Sequence, residues 1–267
     1  MPKEVSYSLN GMPLDTSGFH VTVGTTWRAA ITPRRTVTTV QGRHGSITPG
    51  MAPRFDEREI TITALAHGTE STTMTEHFLR LLTLPTITLG KTERDLATGT
   101  SRTMSARAEL TSLTANDNER PYKPHERYTA VLALPDVFWQ ETARTIELPA
   151  TGGTLLTNGN ANAPIIDPII RLNNPTAVTI TNHASGTDIT WGGGTDTSKP
   201  YLFLDPANLT AWRSNTATAW DTGTKTSPPD YTSEPLEIWP DNNGTYTISI
   251  SQNTTQKAAI RTKPAWW

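Results

Sequence analysis

Gly90-Lys91-Thr92 has the ending of a phosphate-binding loop, in which backbone N–H groups and a lysine cradle phosphate oxygens. That chemistry needs a glycine at position 85 and a helix after the loop. Position 85 is Pro85, and the one helical pattern in the chain precedes the lysine. Gly192-Gly193-Gly194 lacks the strand-to-helix context of a dinucleotide fingerprint and reads as a turn after a strand. The six histidines, at 20, 44, 67, 77, 125 and 183, form no HExxH or HxH pair that presents two imidazoles to one metal. There is no GxSxG elbow for a serine nucleophile. Asp188, Asp196 and Asp205 are scattered acids that read as turn residues rather than a glycosidase pair. The absence of cysteine removes disulfides, thiolate metal sites and cysteine nucleophiles together. The expectation is a protein that is not an enzyme, with no catalytic residue, no metal and no cofactor.

Two groups of residues suggest binding instead. Trp191, Trp212, Trp220 and Trp239 are candidates for stacking on sugar faces, with core or interface packing as the plainer reading, because Trp buries large areas in both settings. Arg34, Arg35, Arg43, His44 and Arg54 make a basic stretch punctuated by Gly and Pro. No aromatic residues interleave with them as in a nucleic-acid loop, so polar contacts to another subunit are expected.

The elements that must position these residues are mostly strands. Thr is the unusual residue, 49 of 267, and its β-branched side chain suits a half-buried pleated surface. Twenty Pro and 18 Gly cut the chain into short segments, which favours a sandwich or barrel. Val5–Leu9 alternates and runs into Asn10-Gly11, a strong hairpin signal. Phe19–Val23 alternates again. Arg58–Leu65 is the cleanest strand, with Arg58, Ile60, Ile62 and Ala64 on one parity. Thr73-Met74-Thr75-Glu76 reads as a capping box opening a helix near 73–83, with Met74, Phe78, Leu81 and Leu82 as its apolar stripe, His77 beside the stripe and Pro85 as its stop. Strands follow over 86–89, 102–114 and 128–134, with a polar turn at 116–121. Later strands are expected at 165–172, 178–181, 189–191, 201–204, 236–239, 246–250 and 258–262, entered through loop-like stretches at 151–153 and 158–162.

The net charge is −2, from 23 basic and 25 acidic residues, so neither a polyanion binder nor an acidic tail is implied. Mean hydropathy is −0.44, polar but globular. No apolar run approaches the length of a membrane span, and the Met1-Pro2-Lys3-Glu4 start lacks the apolar core of a secretory signal. A soluble protein made in a cytoplasm is expected. Composition shifts near 140–150: six of eight Trp lie beyond it, whereas 12 of the 15 basic residues before it are Arg. The expected division is 1–143 and 144–267.

The order of features resembles the distal tail (minor tail) proteins of long-tailed bacteriophages. Tyr7-Ser8-Leu9-Asn10-Gly11 opens the pattern, followed by Gly42-Arg43-His44-Gly45, Arg58-Glu59-Ile60, the lone helix, a long hairpin and Leu134-Pro135-Asp136-Val137-Phe138-Trp139. Asn160-Ala161-Asn162-Ala163-Pro164, Tyr201–Asp205 with Trp220, Leu236–Pro240 and a closing strand that runs to Pro264-Ala265-Trp266 complete it. The resemblance implies an all-β fold with one short helix. A tail-tube-like "belt" sandwich over 1–143 would form the ring, and a galectin-like sandwich over 144–267 would follow it. It implies a structural virion protein, six copies of which form a ring at the distal end of the tail. That ring would join the tail tube to the tip or baseplate, meet tape-measure and tail-associated proteins, and let DNA through its lumen without inserting in a membrane. The protein would be made in the cytoplasm of the bacterial host. The alternative function is a carbohydrate-binding, host-attachment module built on the Trp-rich C-terminal part.

Overall fold

The computed structural model describes residues 3–27, 29–34, 37–39, 41–42, 44, 52–69, 71–115 and 125–267. The described chain is built of strands with a single α-helix, and it divides into two units. The first takes residues 1–34 and 55–140; the second takes residues 35–54 and 141–267. The expected all-β, sandwich-type class is observed.

In the first unit the strands are β1 (Lys3–Leu9), β2 (Met12–Pro13), β3 (Phe19–Val21), β4 (Pro33–Arg34), β5 (Arg54–Phe55, shared at the boundary), β6 (Arg58–His67), β7 (Ile87–Asp95), β8 (Ser101–Ala115), β9 (His125–Leu134) and β10 (Trp139–Gln140). Seven of them run in the order β2-β1-β7-β8-β9-β6-β3, all antiparallel. Asn10 and Gly11 both take positive φ, 49° and 86°, as the two-residue turn between β1 and β2 demands. β8 does double duty. Residues 101–108 pair with β7 and residues 109–115 pair with β9, and the register shifts between Leu110 and Ser112. A strand that changes partner through a bulge turns the sheet over on itself, and the turned sheet encloses a core. The alternation read from Arg58–Leu65 is realised: Arg58, Ile60, Ile62 and Ala64 are all buried.

Helix α1 spans Ser71–Leu82 and packs against β6, β1 and β9. It starts two residues before the expected cap, so Thr73 sits inside the helix. The chain enters through Gly68, at φ 83°, whose carbonyl accepts from the Ser71 N–H. The buried face is Thr75, Phe78 and Leu82; Met74 and Leu81, expected on it, are half-buried. Phe78 meets Phe19 at 5.1 Å between ring centroids.

The second unit is a sandwich. Its strands are β11 (Arg144–Leu148), β12 (Gly152–Leu156), β13 (Ile169–Asn173), β14 (Val178–Asn182), β15 (Thr187–Trp191), β16 (Tyr201–Asp205), β17 (Thr210–Ser214), β18 (Thr224–Lys225), β19 (Tyr246–Gln252), β20 (Ala258–Thr262) and β21 (Ala265–Trp266). One sheet runs β11-β20-β13-β16-β17-β18, the other β12-β19-β14-β15. Between them lies an apolar core that includes Ile170, Leu172, Ile180, Ile189, Leu202, Leu204, Tyr246 and Ile260. Two expectations fail. Gly152 and Gly153, read as part of a loop, open β12, because Gly152 at φ 88° lets the backbone pass close to β19. Residues 236–239, read as a strand, make one bridge, Ile238 to Ile165, and are otherwise held by side chains.

Candidate functional site

The second unit turns two unlike outer faces to its surroundings, and alternation decides both. In β16 and β13 the odd positions, Phe203 and Arg171, point away from the core shared by the two sheets, which leaves aromatic and cationic groups outside. Residues 215–223 then fold over that face. Phe203 is fully buried under this cover, stacked on Trp212 at 5.6 Å and 3°, and met edge-on by Trp220 at 5.4 Å. Trp212 donates Nε1–H to the Ala219 carbonyl at 2.9 Å, and a Cβ on Gly223 would lie 2.4 Å from the Trp212 ring. The Arg171 guanidinium lies 5.6 Å from the Trp220 centroid and donates to Ala217 O and Glu147 Oε1. Aromatic contact, cation–π attraction and hydrogen bonding together close this face.

The four-stranded sheet has the opposite chemistry. In β14 and β19, Val178, Ile180, Tyr246, Ile248 and Ile250 face the core, while Thr179, Thr181, Thr247, Ser249 and Ser251 face outward. Its inner side carries a buried polar knot. Asn182, fully buried, donates Nδ2–H to Trp239 O and Thr247 O, and its Oδ1 accepts from Ser185 N, Ser185 Oγ and Trp239 N. Thr187 Oγ1 donates to Glu237 O at 2.9 Å. Three of these bonds tie the 236–239 segment to the β14–β15 hairpin and the others tie Asn182 to β19 and to the turn, so the buried amide is satisfied.

That segment sets Glu234 and Glu237 against Arg54. Arg54 Nη2 donates to Glu234 Oε2 at 2.8 Å, and Nη1 donates to Glu237 Oε1. Glu237 also accepts from Trp239 Nε1 at 3.1 Å. A guanidinium gripped by two carboxylates has fixed geometry.

The tryptophans singled out in the sequence therefore have assigned places. Trp191 is 4% exposed and in the core; its Nε1–H donates to Ser227 O, Arg213 lies 5.1 Å from the ring centroid, and a Cβ on Gly193 would come within 2.3 Å of its six-membered ring. Trp220 is 9% exposed beneath Arg171. Trp212 and Trp239 are half-buried, each with its indole N–H bonded. Of the basic stretch, Arg34 is exposed with Asp56 at 3.7 Å, His44 is exposed, and Arg54 is held as above. Arg35 and Arg43 lie outside the described residues, as does the whole 116–121 turn. Asp188, read as a turn residue, is a buried strand residue that accepts from Thr232 N and Thr232 Oγ1, because the edge of β15 needs a partner there. Lys91, from the phosphate-loop-like triplet, is buried beside Glu93 at 2.6 Å, 5.4 Å from the Trp139 centroid. Among the described residues no cluster of His, Asp or Glu has the arrangement of a metal site, and no helix is long and apolar enough to cross a membrane.

What the sequence reading missed is the hydroxyl-lined face. Thr179, Thr190 and Ser251 come from three strands, and Thr179 is the cross-strand partner of both others. They form one row across the sheet. It floors an open groove of about 630 Å³ bounded by Pro228, Asp230 and Asn253. The signal was present in the alternation of two expected strands, but their pairing was not.

The fold so defined is a strand-switching sheet unit with one helix, joined in sequence to a two-sheet sandwich. No family model and no curated protein matches the chain. Among solved structures it is similar to the SPP1 Dit protein, described as a paradigm of the hub adsorption apparatus in phages infecting Gram-positive bacteria, with 14% identity and a TM-score of 0.58 over 99% of this chain and 100% of that one. It is also similar to a chain of the phage P2 baseplate in its activated conformation with calcium, at 9% identity and a TM-score of 0.45, covering 98% of each chain. The resemblance to distal tail proteins read from the sequence is thus borne out as a shared fold along the whole chain.

Proposed function

We propose that this chain is a structural subunit of a phage tail tip, six copies of which close into a ring between tail tube and baseplate. The observation that carries this reading is the end-to-end likeness in fold to a distal tail hub protein, with neither unit left over. Head-to-tail contacts that close produce such rings. In this reading residues 1–143 close the ring and residues 144–267 form the galectin-like sandwich. The ring meets tube, tape-measure and tail-associated proteins, and DNA crosses its lumen. The far end of β8 supports it: residues 111–115 are exposed on both faces of the strand, the arrangement of an arm that reaches a neighbour. Arg34 and His44, both exposed, are available for polar contacts to a neighbouring subunit. The role is scaffolding rather than catalysis, and the protein belongs in the virion after synthesis in the host cytoplasm.

Native mass spectrometry at several concentrations tests the ring. Six copies of 29.2 kDa give about 175 kDa. Cryo-electron microscopy of tails, with the protein labelled, tests its position. A protein that is monomeric in solution and shows no six-fold contacts in the tail refutes the reading.

A further inference from the structure

The geometry points to a binding site for a neutral saccharide in the groove on the outer face of β14, β15 and β19. It goes beyond the ring reading and does not depend on it. The argument starts from what the groove presents. Its floor is the hydroxyl row Thr190–Thr179–Ser251, with neighbours one strand spacing apart, roughly 5 Å. Thr179 and Ser251 make no side-chain hydrogen bond with any described residue, so their hydroxyls are available as both donors and acceptors. One wall is fixed by backbone pairing. Thr190 N–H donates to Asp230 O at 2.7 Å, and Asp230 N–H donates to Thr190 O at 2.8 Å, so the Asp230 carboxylate is carried at a set place beside the floor. One carboxylate oxygen accepts from Tyr231 N, which orients the group. The opposite end is Gln252 and Asn253. Asn253 is locked by Thr176, whose N–H donates to Oδ1 and whose Oγ1 accepts from Nδ2. Gln252 donates to Ala150 O, and its Oε1 is buried with no hydrogen-bond partner.

These groups choose the ligand class. Hydroxyls and a fixed carboxylate together want a partner rich in O–H donors spaced a few ångströms apart. A sugar chain has that pattern. No Lys, Arg or His lines the groove, and Asp230 is its one charged group. Phosphate- and sulfate-bearing polymers therefore meet repulsion with no compensating cation. The volume, about 630 Å³, lies within the roughly 300–1,000 Å³ of ligand sites. Trp191 lines the groove but offers no open face for stacking, being buried with Arg213 over its ring. The mode is hydrogen bonding across a sheet face rather than aromatic stacking, and an open site of that kind binds weakly, with Kd on the order of 0.1–5 mM.

The test uses the full chain. Saturation-transfer NMR and titration calorimetry are run with neutral hexose, deoxyhexose and N-acetylhexosamine di- and trisaccharides, with heparin and polyglycerol phosphate as anionic probes. At least one neutral saccharide is expected to bind. Asp230→Asn, which keeps the acceptor for Tyr231 N, is expected to weaken it five-fold or more. The pair Thr179→Val with Ser251→Ala is expected to weaken it at least as much, with unchanged melting. Three results overturn the proposal: no neutral saccharide bound up to about 20 mM, binding indifferent to both variants, or stronger binding of the anionic polymers. None of these bears on the oligomeric mass, so this site and the ring fail separately.

Discussion

The two outer faces of the second unit begin from the same rule and end in opposite states. Each is the outward parity of an antiparallel sheet over one shared core. On the six-stranded sheet that parity carries Arg171 and Phe203, and residues 215–223 seal it into a second apolar cluster with Trp220 and Ala259. On the four-stranded sheet it carries Thr and Ser, which need no cover, and the face stays open. A large apolar side chain on an outer face must be covered or it becomes a sticky patch. Thr satisfies the pleat and water together, and so leaves a surface free for a ligand.

Substitutions can break this contrast. Phe203→Ala removes the ring on which Trp212 and Trp220 both rest, and should cost about 3–5 kcal/mol in urea unfolding. A cost near zero would mean that the cap is ornamental and both faces are in effect open. Asn182→Ala deletes the amide beneath the hydroxyl face and strands the buried groups it pairs. A loss of about 2–3 kcal/mol is expected, with faster amide exchange over 236–239.

The first unit supplies a charged reference for both. Burial alone would raise the Glu93 carboxyl, but hydrogen bonds from Lys91 and Lys3, and their charges, hold it below the usual carboxylate range. A depressed carboxyl stabilises the folded state above its unfolded pKa and loses that contribution as pH falls through the folded one. Acid unfolding midpoints should therefore shift in Glu93→Gln, and the stability lost between neutral pH and pH 3 should shrink. An unchanged acid profile would exclude this pair as a source of acid sensitivity.

Arg54→Ala should cost about 1 kcal/mol, since its side chain is about one-third exposed, and should speed limited proteolysis within 35–54. Thr179→Val, on the open face, should move stability by less than about 0.5 kcal/mol. A larger destabilisation would show that the open face is structural after all.

Much of this was legible beforehand. Alternation placed Arg58, Ile60, Ile62 and Ala64 on one buried face, and Asn10-Gly11 marked the first turn, because period and turn chemistry act within a few residues. Local signals failed where distant groups decided. Thr73 looked like a cap, yet Gly68 started the helix earlier. Leu236–Trp239 looked like a strand, yet Asn182 and Thr187 hold it by side chains more than 45 residues away. Trp191 was a stacking candidate with core packing as the plainer reading, and it lies in the core with Arg213 over its ring.

By itself the sequence determined the strand-rich class, the single helix and which residues of each strand share a face. These follow from side-chain volume, β-branching and a period of two, all properties of neighbouring residues. Tertiary structure alone decided that β8 serves two partners, that Arg54 sits between Glu234 and Glu237, and that Thr190, Thr179 and Ser251 stand in one row. Each of these depends on which strand lies beside which. Pairing is settled by the packing of the whole core, and no stretch of a few residues contains it.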